Sequence, residues 1–169
     1  MSYAFKWIES PIGWLKLVAS DRGLAAVLWE NDNRHTERLM PIAENPDHPI
    51  LVETQRQLAE FFLGKRHEFS VPLDFNGTEF QKKVWEALLT IPFGETRTYG
   101  EIARQVGNPK AVRAVGGAAN KNPVAIIAPC HRVIGSTGEL TGFAGGLDAK
   151  RHLLAVENRD QVMKSVKAA

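Results

Sequence analysis

The sequence holds a single cysteine in 169 residues. One thiol cannot close an internal disulfide, and it supplies neither a CxxC redox pair nor the paired cysteines of a zinc module. A reducing, cytoplasmic setting is therefore expected. No run of 18 apolar residues occurs, so no membrane span is expected. The opening residues, Met1-Ser2-Tyr3-Ala4-Phe5-Lys6, lack the basic-then-apolar order of a secretory leader. Internal repeats and low-complexity tracts are missing too. The net charge is only +2, but it is unevenly spread. Residues 1–80 carry 8 basic against 12 acidic side chains, and residues 81–169 carry 13 against 7. The second half is thus the candidate for meeting a polyanion.

What is present reads as an α+β chain in two parts, a small antiparallel-sheet domain with a helix over residues 1–75 and a mostly helical domain over 76–169. Alternating apolar residues predict strands over 3–9, 14–20 and 24–30, separated by the turn signals Ser10-Pro11-Ile12-Gly13 and Asp21-Arg22-Gly23. Residues 31–49 are polar and proline-bearing and read as loop, with a short helix near 35–40. Helical periodicity covers 50–63, ended by Gly64. Trp7, Trp14 and Trp29, on adjacent strands, are expected in the core. Beyond a joint at residues 74–77, Thr78 with Gln81 and Thr98 with Glu101 have capping-box spacing. They predict helices over 79–90 and from 98 to 106. Asn108-Pro109 then offers a cap and a first-turn proline for a helix burying Ala111, Val112, Val115, Ala118 and Ala119. The two short helices make a helix-turn-helix pattern. A last helix is expected over 148–156, with fraying after 159.

The chemistry centres on Pro129-Cys130-His131-Arg132-Val133. A free thiol has a pKa of about 8.5 and needs a base or a positive field to act as a nucleophile at neutral pH. His131 is covalently adjacent, and in an extended chain the two side chains diverge, so a water would link them. Glu157 is a carboxylate able to orient His131, and Asn122 is placed to hold the turn before the apolar run 124–128. Each has a plainer reading, as a buried thiol, a surface glutamate and a turn asparagine. The helix containing Gly116 and Gly117 is built of Ala, Val and Gly, with Arg113 as its one long side chain. It suits either a DNA groove, with Ala114, Gly116 and Gly117 as a flat contact face, or tight packing inside the domain. Lys110 and Arg97 flank it and are candidates for phosphate contacts. The loop Thr141-Gly142-Phe143-Ala144-Gly145-Gly146 allows close approach of a flat ring against Phe143. Taken by themselves, these residues fit DNA binding by a regulator with an inert cysteine, or a Cys-His-Glu hydrolase.

Together, Arg113-Ala114-Val115-Gly116-Gly117-Ala118, Asn122-Pro123, Ile127 to Ile134 and Gly145-Gly146-Leu147 resemble the O6-alkylguanine-DNA alkyltransferases, suicidal DNA-repair proteins, in their constitutive bacterial form. The resemblance implies that Cys130 accepts the alkyl group from O6-alkylguanine in double-stranded DNA, once per molecule. His131 would take the thiol proton through a water, Glu157 would polarise His131, and Asn122 would shape the pocket. Arg113 would fill the stack vacated by the flipped nucleotide, with the helix-turn-helix in the minor groove. Tyr99 would crowd the target phosphate and donate a proton to the purine. Phe143, Ala144, Gly145 and Ala125 would line the pocket. Phe143 and Ala144 stand where some members carry Tyr and Ser, so Ala144 brings no hydroxyl to guanine O6, and Ala125 replaces a proline. O4-alkylthymine is a second substrate to consider. A monomer needing no cofactor is implied.

Overall fold

The structure of the chain, a computed structural model, describes residues 2–32, 35, 37–143 and 145–168. Two compact units emerge: residues 1–76 with 123–125, and residues 77–122 with 126–169.

The first unit is built on β1 (Tyr3–Ser10), β2 (Gly13–Ala19) and β3 (Leu24–Trp29), an antiparallel meander. A fourth strand, β4 (Ile42–Glu44), lies inside the stretch expected to be loop and pairs parallel to β1. The sheet order is β3-β2-β1-β4. A three-residue strand made by a long-range parallel pairing leaves no alternation to read in sequence. Helix α1 (Pro49–Phe62) packs across β1, β2 and β3, burying Leu51, Thr54, Leu58 and Phe61. Strand alternation decides what is covered. Ile8, Leu15, Leu17 and Val27 are buried.

The register pairs Trp7 with Lys16 and Glu9 with Trp14, on the opposite face. That corrects the expectation of a tryptophan core: Trp7 and Trp14 are exposed, and Trp29 is half-buried. The Lys16 ammonium lies over the Phe5 and Trp7 rings, at 4.5 and 5.8 Å from their centroids. The free edge of β3 is closed by two short bridges, Leu24 with Leu73 and Val27 with Val124. Gly23 is required at the first of them, since a Cβ there would meet Pro72 O at 2.6 Å.

The second unit opens with α2 (Glu79–Leu88), capped by the reciprocal bonds of Thr78 and Gln81. Trp85 on α2 is fully buried, and its Nε1 donates to Ala118 O at 2.8 Å. Helix α3 (Tyr99–Gln105) has the second capping box, Thr98 with Glu101. Helix α4 (Val112–Asn120) starts later than expected: Ala111 is its N-cap, with no side-chain cap, and Asn108-Pro109 falls in the preceding turn. Val115, Ala118 and Ala119 are buried as expected, but Val112 is exposed. In place of an extended chain, Cys130–Arg132 forms a 3-10 turn. Two short strands, β5 (Arg97–Thr98) and β6 (Val133–Ile134), pair in parallel. They tie the residue before Tyr99 to the segment just after that turn. The last helix, α5 (Leu147–Ala168), is longer than the expected 148–156 and runs through the stretch expected to fray.

Candidate active site and nucleic-acid face

Helix α5 presents an inner stripe of Ala149, Lys150, Leu153, Val156 and Glu157, all buried. This is the spacing of an amphipathic helix, with two charged residues inside the apolar stripe. Both serve the turn that carries Cys130. His131 and Glu157 are buried, and His131 Nε2 lies 2.6 Å from Glu157 Oε2. Arg132 Nε lies 2.9 and 3.0 Å from the two Glu157 oxygens, and Nη2 lies 2.9 Å from Oε2. Arg132 Nη1 donates to Ile91 O at 2.6 Å, and the guanidinium sits 5.8 Å from the Phe93 ring centroid. Gly94 N donates to Glu157 Oε1 at 3.3 Å.

Burial opposes ionisation of Glu157, but the hydrogen bonds and charges of His131 and Arg132 outweigh it and hold the carboxyl below its ordinary value. Burial pushes His131 down; Glu157 pulls it back only in part, and the charges of Arg132 and Lys150 add to the lowering. An ionised Glu157 beside a neutral imidazole assigns the proton to Nε2, donated to Glu157. His131 Nδ1 is then the basic nitrogen. It is buried and has no hydrogen-bond partner among the described residues.

Cys130 is in no disulfide and is partly exposed. Its turn is held by backbone bonds from Cys130 N to Ala128 O (2.8 Å) and Arg132 N to Pro129 O (2.9 Å). Asn122 is buried, and its Nδ2 donates to Ala128 O at 2.7 Å, closing the loop that leads to the turn. Inside this loop Ile126 has a φ of 73°, a left-handed conformation that a β-branched residue rarely adopts. Such a position costs on the order of 1–3 kcal/mol and persists where the surroundings over-determine it.

Lys150 Nζ donates to Val133 O at 2.7 Å and to Thr141 O at 3.3 Å. Burial lowers this ammonium from its ordinary value, and the charge of Cys130 acts against that lowering. Tyr99, the first residue of α3, shares a hydrogen bond of 2.5 Å with Thr141. The ring of Tyr99 faces Gly116, where a Cβ would stand 3.8 Å from it. Phe143 and Gly145 are half-buried in the loop before α5, which turns through a bond from Gly146 N to Phe143 O at 2.9 Å. Ala144 lies outside the described residues. Ala125 is buried in the segment 123–125, which folds with the first unit.

The outward side of α4 carries Arg113, Ala114 and Gly117, all exposed, with Gly116 half-buried. Nothing lies within 4 Å of a Cβ placed on Gly117. Lys110 is exposed just before the helix, and Arg97 is half-buried and paired with Glu95 at 3.1 Å. No group of three His, Cys, Asp or Glu able to hold a metal occurs among the described residues. None of the described helices is long and apolar enough to cross a membrane.

The structure thus joins His131 and Glu157 directly, places Asn122 on the Cys130 loop, and puts Tyr99 between Thr141 and α4. Sequence reasoning missed Arg132, Lys150 and Thr141. The signal for Lys150 was its place in the buried stripe of α5, seven residues before Glu157.

Comparisons with known proteins agree over nearly the whole chain. The family model "6-O-methylguanine DNA methyltransferase, DNA binding domain" matches residues 79–159, and "6-O-methylguanine DNA methyltransferase, ribonuclease-like domain" matches residues 3–75. A methylated-DNA–protein-cysteine methyltransferase of Methanosarcina acetivorans is 52% identical over 157 residues, covering 93% of this chain and 98% of the relative. One from Mycolicibacterium paratuberculosis is 48% identical over 155 residues, covering 92% of each. Among solved structures, Mycobacterium tuberculosis OGT in complex with DNA superposes with a TM-score of 0.84 at 45% identity, covering 94% of each chain.

Proposed function

The chain belongs to the 6-O-methylguanine DNA methyltransferase family, and on that premise we propose that it repairs DNA by moving the alkyl group of O6-alkylguanine onto the sulfur of Cys130. The protein is a methylated-DNA–protein-cysteine methyltransferase with double-stranded DNA as its partner. The observation that carries the assignment of residues is the buried His131–Glu157 pair, with Nδ1 left as a base next in sequence to a partly exposed thiol.

The thiol proton passes to His131 Nδ1 through a water, and Glu157 stabilises the imidazolium that results. The Lys150 ammonium, anchored on Val133 O and Thr141 O, interacts favourably with the thiolate charge. The sulfur attacks the alkyl carbon in line. The S–C bond forms as the C–O6 bond breaks, and guanine takes the electron pair, its charge quenched by a proton from the Tyr99 hydroxyl. Water does not cleave a thioether, so each molecule acts once.

The O6 alkyl group is buried in the base stack, so the nucleotide must be turned out, at a cost of a few kcal/mol. The flat outer face of α4 enters the minor groove, and Arg113 fills the vacated space. Lys110 and Arg97 contact phosphates. Asn122 fixes the loop of the pocket, and Phe143 and Gly145 line it. Residues 76–169 hold the DNA-binding and acceptor functions, and residues 1–75 support them. The protein acts as a cytoplasmic monomer, where a lone thiol stays reduced.

The test is a duplex carrying O6-methylguanine with a labelled methyl group. One label per protein is expected, on the peptide containing Cys130, and Cys130→Ala should bind the duplex without taking label. Label that stays on the DNA, or leaves as methanol, would overturn the reading. Binding without transfer would return the chain to the regulator class.

A further inference from the structure

Arg132 has no part in the chemistry just described, although it makes more contacts to Glu157 than His131 does. Its fork reaches both carboxylate oxygens, its remaining Nη is fixed by Ile91 O, and its guanidinium carbon lies over the Phe93 ring. The residue is buried. We infer that Arg132 is a positioning residue for the transfer: by compensating the charge of Glu157 it keeps His131 neutral, with Nδ1 free to accept the thiol proton. The inference rests on the alkyl-acceptor reading of Cys130 and adds a reason why its base is available.

The argument is a balance of buried charge. A lone buried carboxylate beside a histidine is best neutralised by protonating the imidazole, which makes an ion pair. That histidine would already carry protons on both nitrogens and would be useless as a base at neutral pH. With the Arg132 fork in place, Glu157 is already neutralised. A proton on His131 would then leave one uncompensated positive charge in a site that also holds the Lys150 ammonium.

The groups facing His131 complete the inventory. Cys130 and Arg132 lie on its own turn, and Glu157 and Lys150 on α5. Helix α2 also packs against the turn; its buried residues near that end are the apolar Val84, Trp85 and Leu88, while of its charged residues Glu79, Lys83 and Glu86 are exposed and Lys82 is half-buried. The segment after α2 offers Ile91 O, Phe93 and Gly94 N. Glu157 is the anion among them, so its partner decides where the proton sits. The lowering of His131 by burial, Arg132 and Lys150 agrees with this placement. A lysine would supply the charge without the fork.

The test compares the wild type with Arg132→Gln, which keeps one donor and loses the charge, and Arg132→Lys, which keeps the charge. Side-chain nitrogen shifts of His131 report its proton without DNA. The wild type should be neutral at pH 7 with hydrogen on Nε2. In Arg132→Gln the imidazole should be charged at pH 7, and the acid limb of single-turnover transfer should move up by roughly one pH unit or more, a tenfold change in the proton equilibrium. Raising the pH should restore its rate, and Arg132→Lys should keep the wild-type limb.

A wild-type His131 that is charged at pH 7 overturns the inference, whatever the variants do. So does a folded Arg132→Gln protein that loses rate equally at all pH values, the mark of a purely structural role. Failure of the Cys130 reading would show separately, as absent methyl label on the wild type.

Discussion

Tyr99 and Thr141 share a hydrogen bond of 2.5 Å between their hydroxyls, which joins the start of α3 to the loop before α5. The Tyr99 phenol has two candidate duties, holding this loop and donating a proton to the departing purine. Tyr99→Phe removes both, and Thr141→Val removes only the first. We expect Tyr99→Phe to slow transfer from duplex DNA by on the order of 100-fold, the lower range for a general acid. Thr141→Val should stay within a few-fold of wild type. Equal losses in single-turnover assays would assign the whole effect to the loop.

Arg113 is exposed on α4, so removing it should change stability by no more than about 0.5 kcal/mol. Its loss should instead appear in extrusion of the target. Arg113→Ala should slow transfer from a paired duplex by roughly tenfold or more, since unstacking costs a few kcal/mol. Free O6-methylguanine base, which needs no extrusion, should react at the wild-type rate. A matching loss on the free base would show that Arg113 acts on the thiol site.

Asn122 and Ala128 test the loop that carries the turn. Asn122→Ala removes the 2.7 Å bond and leaves the buried Ala128 carbonyl with Cys130 N as its remaining donor. The expected loss is about 0.5–1.5 kcal/mol, the net worth of one hydrogen bond, or very roughly 1–6 °C in Tm for a chain of this size. Asn122→Asp, which sets an acceptor against an acceptor, should cost more than Ala. Thermal unfolding with no change in Tm for either variant would refute the role of this bond.

Stability should fall in acid in two stages. His131 and Glu157 both bind protons less readily in the folded chain than in the unfolded one. The unfolded state therefore gains protons first as pH drops, which favours unfolding. The first loss begins near the ordinary histidine value of 6.5 and the second below the ordinary carboxyl value of 4.5. Urea midpoints measured from pH 8 to pH 4 should show the upper stage, and His131→Phe should lack it. A flat midpoint from pH 7.5 to 5.5 in the wild type would contradict the buried neutral histidine.

Lys150 should matter to both fold and thiol. Lys150→Met leaves Val133 O and Thr141 O without their ammonium partner and removes a charge near Cys130. Slower reaction of Cys130 with iodoacetamide below pH 7 is expected, together with a lower Tm. Unchanged thiol reactivity would limit Lys150 to a structural tie.

Local features were legible in the sequence. Both capping boxes, at Thr78 and Thr98, formed as their spacing predicted, because each is settled within four residues. The β1–β3 meander followed from alternation and turn residues. Long-range pairings were not legible: β4 is three residues long and finds β1 in parallel, and Val124 reaches β3 from nearly a hundred residues away. The tryptophans misled for a related reason. Their size argued for burial, but only the register shows that Trp7 and Trp14 share the Lys16 face. In the site, Cys130, His131, Glu157 and Asn122 stood out by residue type. Arg132 and Lys150 did not, because a charged side chain reads as solvated until the fold removes the water around it.

The bareness of α4 has a last consequence. Telling one base pair from another takes side chains that donate to or accept from base edges. From Val112 to Gly117 the outward surface offers Arg113 as its one hydrogen-bonding side chain, beside Val112, Ala114 and Gly117. Such a helix has almost nothing with which to spell out its neighbourhood, so it should patrol all contexts alike. Damage falls on guanines wherever they happen to lie, and a reader with a vocabulary would overlook most of them.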